Sequence, residues 1–323
     1  MRIERRLSCW LVAVAILVAP VACRRADERP ADGRTPVWLD LSPAFGDPPR
    51  DPGDALALLQ AFGAEALTVR GVSVTFGNVP LVRGFPSAQE LLKRLDTGLL
   101  RPWRGASNPE ERAAPTEATE LLEEALGKER LTIVALGPAT TLASVLLRHP
   151  DLADRIDRVV FVAGQTVDRA TSASMPRDAN VAADADSVQV LLDSPVALTL
   201  VARGSSSGVG LDAADFDRLD AGRGPIRLIT PSARLWLQDL AGRTGETALP
   251  VPAMLAVDAA AHPGDLRCEA AIAALAGNST DRALVVSGAP GAPGRAVTWC
   301  HSADPGAKAR IVADVLRVRP REP

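Results

Sequence analysis

Residues 37–79 read VWLDLSPAFGDPPRDPGDALALLQAFGAEALTVRGVSVTFGNV, and they gather four carboxylates behind one hydrophobic run. Val37-Trp38-Leu39 delivers Asp40 to its end. A loop rich in Gly, Pro and Asp then carries Asp47, Asp51 and Asp54 into a helical pattern, and a second apolar run ends in Gly77-Asn78. Acids crowded at the mouth of a strand repel one another unless water or a cation separates them. The pattern therefore marks a ligand site or the remains of one. Each residue also has a plainer use: Asp40 as an acceptor for backbone N–H groups, Asp54 as a helix cap, Asn78 as a turn residue, Asp47 and Asp51 as solvated loop acids.

The elements that must hold these residues alternate in type. Strand-like apolar runs fall at 36–42, 66–75, 131–136, 157–163 and 196–202, and helical patterns at 54–62, 87–96, 116–127, 139–148, 183–193 and 231–242. That alternation predicts a doubly wound α/β domain with a mostly parallel sheet. Short runs at Ala283–Ser287 and Ala296–Cys300, joined by a Gly/Pro-rich link, predict a small C-terminal antiparallel hairpin, with a closing helix near 305–317. Ligands in open α/β sheets bind at the carboxyl ends of strands. Asp40, Asn78 and the Leu136-Gly137-Pro138 turn all lie at such ends.

The chain has 323 residues, 47% of them hydrophobic, enough for one large domain spanning 36–323. Net charge is −3 with no basic block, which gives nucleic-acid binding no electrostatic support. Residues 1–22 have the anatomy of a signal peptide: Arg2, Arg5 and Arg6, then the apolar stretch Leu11–Ala22. Val21-Ala22-Cys23 resembles the end of a bacterial lipobox, which predicts export and a lipid on Cys23 anchoring the chain to a membrane. Polar residues up to 35 would serve as a tether. Neither Cys268 nor Cys300 sits in a metal-ligand spacing; in an exported chain they are either a disulfide or two buried thiols. Asp258 and His262, four apart on an expected helix, suggest a half-exposed contact with each other.

Several of these segments resemble the inosine–uridine nucleoside hydrolases. Asp40-Leu41-Ser42, followed by Gly46-Asp47-Pro48-Pro49-Arg50-Asp51-Pro52-Gly53-Asp54-Ala55-Leu56-Ala57-Leu58, is similar to the longer form of that family's opening Asp motif. Val74-Thr75-Phe76-Gly77-Asn78-Val79 is similar to its V-F-G-N-V. Val134–Ala143 resembles its T-G-P-L-T-N-L-A turn, and Arg177-Asp178-Ala179-Asn180 its A-E-F-N segment. The resemblance implies hydrolysis of an N-ribosyl bond in a small ribosyl substrate, assisted by one Ca²⁺. It assigns Asp40, Asp54 and the Leu136 carbonyl to the metal, and Asn78, Asp178 and Asn180 to the sugar. Self-association into a homo-oligomer is left open.

Three positions depart from the family pattern. Ser42 stands where the family has a metal-binding Asp, Gly53 where it has the Asp that also acts as base, and Ala253 where a late motif supplies another metal-binding Asp. Calcium takes 6–8 oxygen ligands, so losing these acids weakens the ion by an expected several kcal/mol, on the order of 10³-fold or more. Asp51, on the same loop, is the expected substitute base. The alternative is a ribosyl-binding pseudoenzyme with a degraded metal site.

Overall fold

The structure is a computed structural model, and it describes residues 33–46, 48–166, 178–222, 224–278 and 281–321. The expected leader, Cys23, most of the tether and Asp47 lie outside the described residues. Among the described residues no helix is long and apolar enough to cross a membrane.

Apolar runs form β1 (Thr35–Leu41), β2 (Leu67–Val74), β4 (Leu131–Ala135), β5 (Ile156–Phe161) and β7 (Leu198–Val201), with the short edge strand β3 (Pro102–Arg104). Together with β6 (Gln165–Thr166), β8 (Leu266–Asn278), β9 (Asp281–Ser287) and β10 (Arg295–Ala303), they make one ten-stranded sheet. Its order is β3-β2-β1-β4-β5-β7-β10-β8-β9-β6. The six strands from β3 to β7 are mutually parallel, and β10 continues parallel to β7. Central strands such as β1 and β4 are buried along almost their whole length, as a parallel sheet covered on both faces requires.

The crossovers are α1 (Gly53–Gly63), α2 (Leu81–Lys93), α3 (Glu117–Lys128), α4 (Thr140–Arg148), α5 (Ala179–Ala183) and α6 (Ala185–Asp193). They are followed by α7 (Ala213–Ala221), α8 (Ile226–Thr244), α9 (Pro252–Ala261) and the closing α10 (Ala307–Arg317). Two apolar clusters cover the two sheet faces. One gathers α1, α2, α8, α9 and α10 on the side of Val37, Leu39 and Leu41; the other gathers α3, α4 and α6 on the side of Trp38 and Ile133. The even and odd residues of β1 thus feed different cores, as the two-residue period of a strand dictates.

The doubly wound fold is as the sequence predicts, with three local corrections. The C-terminal hairpin is a three-stranded unit: β9 and β10 do not pair with each other, because β8 lies between them and pairs antiparallel with both. The β8 sequence LRCEAAIAALAGN is rich in alanine, a helix former, and only its two partners make it a strand. The helices expected at 87–96 and 231–242 begin earlier, at Leu81 and Ile226, and run through Pro86 and Pro231. Burial of Leu81 and Phe85, and of Ile226 and Ile229, outweighs the cost of those prolines. Third, Asp258 is fully buried and its carboxylate is ion-paired with Arg310 of α10 at 3.1 Å, rather than forming a half-exposed contact with His262.

Cys268 and Cys300 form a disulfide across β8 and β10. Gly63, at the end of α1, has so close a neighbour in α10 that an added Cβ would stand 1.7 Å from the Asp314 carbonyl oxygen. Gly63→Ala is therefore expected to push α1 off α10, destabilising the domain by about 1–3 kcal/mol through overpacking. Chemical denaturation measures this, and an unchanged midpoint would show that the contact is not tight.

Candidate active site

Asp40 is the sixth residue of β1, 1% exposed, level with Ser73 of β2 and Ala135 of β4. Its Oδ1 accepts a hydrogen bond from the Ser73 hydroxyl at 2.6 Å, and the nearby Thr141 hydroxyl also favours the charged form of this carboxylate. Its Oδ2 is buried with no hydrogen-bond partner. Burial pushes the Asp40 carboxyl up to about 7, and the nearby Asp54 charge adds to the rise.

Asp54 sits in the first turn of α1. Its Oδ2 accepts the Ser42 backbone N–H at 2.8 Å, so the loop is tied back onto the helix. Burial raises this carboxyl as well to about 7, reinforced by repulsion from Asp51. Asp51 has a raised pKa too, chiefly from burial, while the Arg203 charge works against the rise. Asp40, Asp54 and Asp51 thus form a chain of carboxylates in which each acts electrostatically on the next.

The Asp51 carboxylate occupies a telling position. Its Oδ1 accepts the Gly53 N–H at 2.8 Å. A Cβ built on Gly53 would meet that same oxygen at 3.0 Å and the Ala253 Cβ at 3.8 Å. The carboxylate therefore fills the space toward which a side chain at position 53 would project, beside Ala253. At position 53, where the resemblance expects an acid, the carboxylate of the neighbouring Asp51 thus occupies the direction such a side chain would take. Ser42 offers no similar replacement: its hydroxyl is exchanged with the backbone of Val79, accepting from the N–H and donating to the carbonyl, both at 3.3 Å.

The other expected site residues hold this rim together. Asn78 Nδ2 donates to the Ser42 carbonyl at 3.2 Å and to the Asp51 carbonyl at 2.8 Å, pinning both ends of the acidic loop. The Leu136 carbonyl accepts from Asn180 Nδ2 at 2.7 Å, and the same amide donates to the Val162 carbonyl at 2.9 Å. Asp178 caps α5: its Oδ1 takes the N–H groups of Asn180 and Val181, and its Oδ2 that of Gly164 at 2.7 Å. The seven residues from Asp40 to Asn180 lie along one edge, at the carboxyl ends of β1, β2, β4 and β5. In this structure Asp178 and the amide nitrogens of Asn78 and Asn180 are bonded to backbone groups of the rim.

Sequence reasoning missed Ser73, Thr141 and Arg203. Ser73 is signalled only by the β1–β2 register, and Thr141 follows the Leu136-Gly137-Pro138 turn. Arg203, just past β7, pairs with Glu246 at 3.3 Å while its charge reaches Asp51.

Among the described residues no three Asp, Glu, His or Cys side chains converge to hold a metal ion. What remains is a smaller donor set: the unpartnered Asp40 Oδ2, the Asp54 carboxylate and the Leu136 carbonyl. Buried Asp40 with its orphaned oxygen, and half-buried Asp54 whose charge repels it, are hard oxygen donors of the type a weakly held divalent cation takes.

Residues 37–317 match the family model described as inosine-uridine preferring nucleoside hydrolase. The pyrimidine-specific ribonucleoside hydrolase RihA of Salmonella typhimurium is 28% identical over 209 residues, covering 55% of this chain. The match spans 66% of that relative's length, just under two thirds. The fold superposes on a plant nucleoside hydrolase with a TM-score of 0.76 at 15% identity, covering 87% of this chain and 99% of that one. It superposes on a purine-preferring ribonucleoside hydrolase from Gardnerella vaginalis with a TM-score of 0.74 at 16% identity, covering 87% and 98%.

Burial raises Asp40 and Asp54 from near 3.8 to about 7, so the folded protein takes up protons that the unfolded chain does not between those values. Their contribution to stability is largest on the acid side of that window and is lost as pH climbs through about 7. In a chelating buffer, stability is expected to fall between pH 5 and pH 8, roughly the upper part of that window. Asp40→Asn should flatten the fall. Urea titrations at the two pH values check it, and identical slopes for wild type and variant would contradict it.

Proposed function

From the premise that the chain belongs to the inosine-uridine preferring nucleoside hydrolase family, we propose that it hydrolyses the N-glycosidic bond of a ribonucleoside or related ribosyl compound, with Asp51 as the base. The observation that carries this reading is the Asp51 carboxylate held against Gly53, where a side chain at that position would project, within electrostatic reach of Asp54.

In the reaction, water adds across the bond between the sugar C1′ and the base nitrogen. The hydroxyl goes to carbon, and the nitrogen leaves carrying a proton. Asp51 takes the proton from the attacking water; a half-buried carboxylate with a raised pKa is a stronger base than a solvated one. Asp40 and Asp54 place negative charge where the sugar develops oxocarbenium character. Asp40, Asp54 and the Leu136 carbonyl would hold a divalent ion such as Ca²⁺. When bound, that ion would neutralise the carboxylate pair and lower the pKa of a bound water. Asn78 fixes the loop carrying Asp51 through the Ser42 and Asp51 carbonyls, and Asn180 fixes the Leu136 carbonyl.

A second reading has its own support. The Ser42 hydroxyl is committed to the Val79 backbone, so the oxygen ligand expected there has no replacement, and Ala253 is itself buried and apolar. A chain that kept the pocket but bound its ligand without turnover would look like this.

Base release from a panel of ribonucleosides separates the two. The panel begins with pyrimidine ribonucleosides, since that is what the matched relative's name specifies. Under the hydrolase reading, Asp51→Ala lowers kcat by about 10²–10⁴-fold, the usual contribution of a general base. Wild-type turnover that survives Asp51→Ala intact would remove that residue from the mechanism; absent turnover with retained nucleoside binding would favour the second reading. Millimolar Ca²⁺ should raise the melting temperature, because a ligand that binds only the folded state stabilises it, and Asp54→Ala should abolish the rise. A wild-type protein indifferent to Ca²⁺ would exclude the metal from this site.

A further inference from the structure

A groove of about 290 Å³ lies beside the edge strand β3, away from the acidic rim. Trp38, Leu100, Trp103, Leu121 and Ala125 give it an apolar lining, and Arg70, Arg101 and Lys128 supply cations, with Glu124 and Glu129 among them. Leu99 stands at its margin 99% exposed, presented by a turn in which Gly98 adopts a left-handed φ of 65°. The Arg101 guanidinium lies 4.0 Å from the Trp103 ring centroid. A fully exposed leucine, a tryptophan and the apolar lining of the groove lie together there, with the long side chains of Arg70, Arg101 and Lys128 and the acids Glu124 and Glu129 around them. Leucine can enter the acyl boundary, tryptophan favours the headgroup level, and Arg and Lys reach phosphates while their stems stay apolar.

The position of the groove argues for what covers it. Leu99 to Arg101 immediately precede β3, which is parallel to β2, so they lie on the side where the parallel strands begin. Lys128 and Glu129 end α3 just before β4 begins, on that same side. The chain enters β1 there as well, with Thr35 paired to Leu67. Asp40 and the rest of the acidic rim are at the opposite strand ends. Ten residues lie between Cys23 and Arg34, eleven Cα steps that reach at most ~36–40 Å. The cations are paired with acids, Arg70 with half-buried Glu129 at 2.9 Å, Lys128 with exposed Glu124 at 2.5 Å and Arg101 with Glu117 at 3.8 Å. Exposed pairs of this kind contribute only about 0–1 kcal/mol, so they give way readily to a multivalent anionic surface.

We propose that the Leu99–Trp103 groove seats on the anionic phospholipid surface to which a lipid on Cys23 tethers the chain, leaving the acidic rim open to the solvent on the other side. The proposal rests on the lipoprotein reading of Cys23 and is independent of whether the site turns over.

The test uses the full chain, purified from a bacterial host, with intact mass spectrometry to establish acylation at Cys23. The protein is then placed in detergent micelles or in vesicles of phosphatidylethanolamine and phosphatidylglycerol, and amide hydrogen exchange is followed. Exchange at residues 98–101 is expected to slow by at least about tenfold on the vesicles, while the 43–52 loop is unaffected. A Leu99→Asp, Arg101→Glu double variant should lose that protection and keep its fold and its exchange elsewhere. A chain without a lipid on Cys23 defeats the tether and the docking with it. An acylated chain with no protection at 98–101, or with protection at 43–52 instead, defeats the docking alone. Equal protection on pure phosphatidylcholine vesicles overturns the role of anionic headgroups. Protection that rises with protein concentration in micelles would assign the groove to a second copy of the chain and overturn the proposal.

Discussion

The structure turns on one electrostatic constraint: three carboxylates are crowded into a poorly solvated corner at the end of β1. Asp40 is almost wholly enclosed with one oxygen unpartnered, and Asp54 and Asp51 follow within electrostatic reach. Moving acids out of water raises the cost of their charge, and placing them together raises it further. Such a corner persists only if the surrounding fold over-determines it. Two buried strands and the closely packed start of α1 supply that rigidity, and the apolar cores on both faces of the sheet stabilise them in turn.

The residues around the corner show how the backbone is held against that repulsion. Asn78 and Asn180 use their amide nitrogens to bind main-chain carbonyls from different loops. Asp178 satisfies two main-chain N–H groups at the head of α5 and a third, that of Gly164, just past β5. A buried carbonyl or N–H without a partner is costly, so these side chains are as much a part of the scaffold as the strands. They determine where Asp51 and the Leu136 carbonyl stand, and through them what chemistry the rim can support. The division of labour is clear: acids supply charge, and amides supply position.

The long β8 strand illustrates how tertiary pairing overrides local preference. Its alanine-rich sequence has little strand propensity of its own, yet it pairs with β9 and β10 and is covalently joined to β10 through Cys268 and Cys300. Helices α2 and α8 make a related point. Pro86 and Pro231 read as helix boundaries, but the buried faces on either side carry the helix through them.

The alternation of elements, the parallel sheet, the family and the acidic loop were legible in the sequence, because hydrophobic periodicity and motif order are local properties of the chain. Ser42, Gly53 and Ala253 stand where the resemblance leads one to expect acids. What could not be read was where the neighbouring groups go once those acids are missing. Asp51 reaches the space beside Gly53 through a local two-residue turn, and only the packing of α1 near α9 brings Ala253, 200 residues on, close to that space. Ser73 meets Asp40 only through strand register, and the Cys268–Cys300 bond forms only because β8 and β10 are neighbours. Residue types fix the charges available, while long-range packing fixes the distances between them, and electrostatic chemistry depends on those distances.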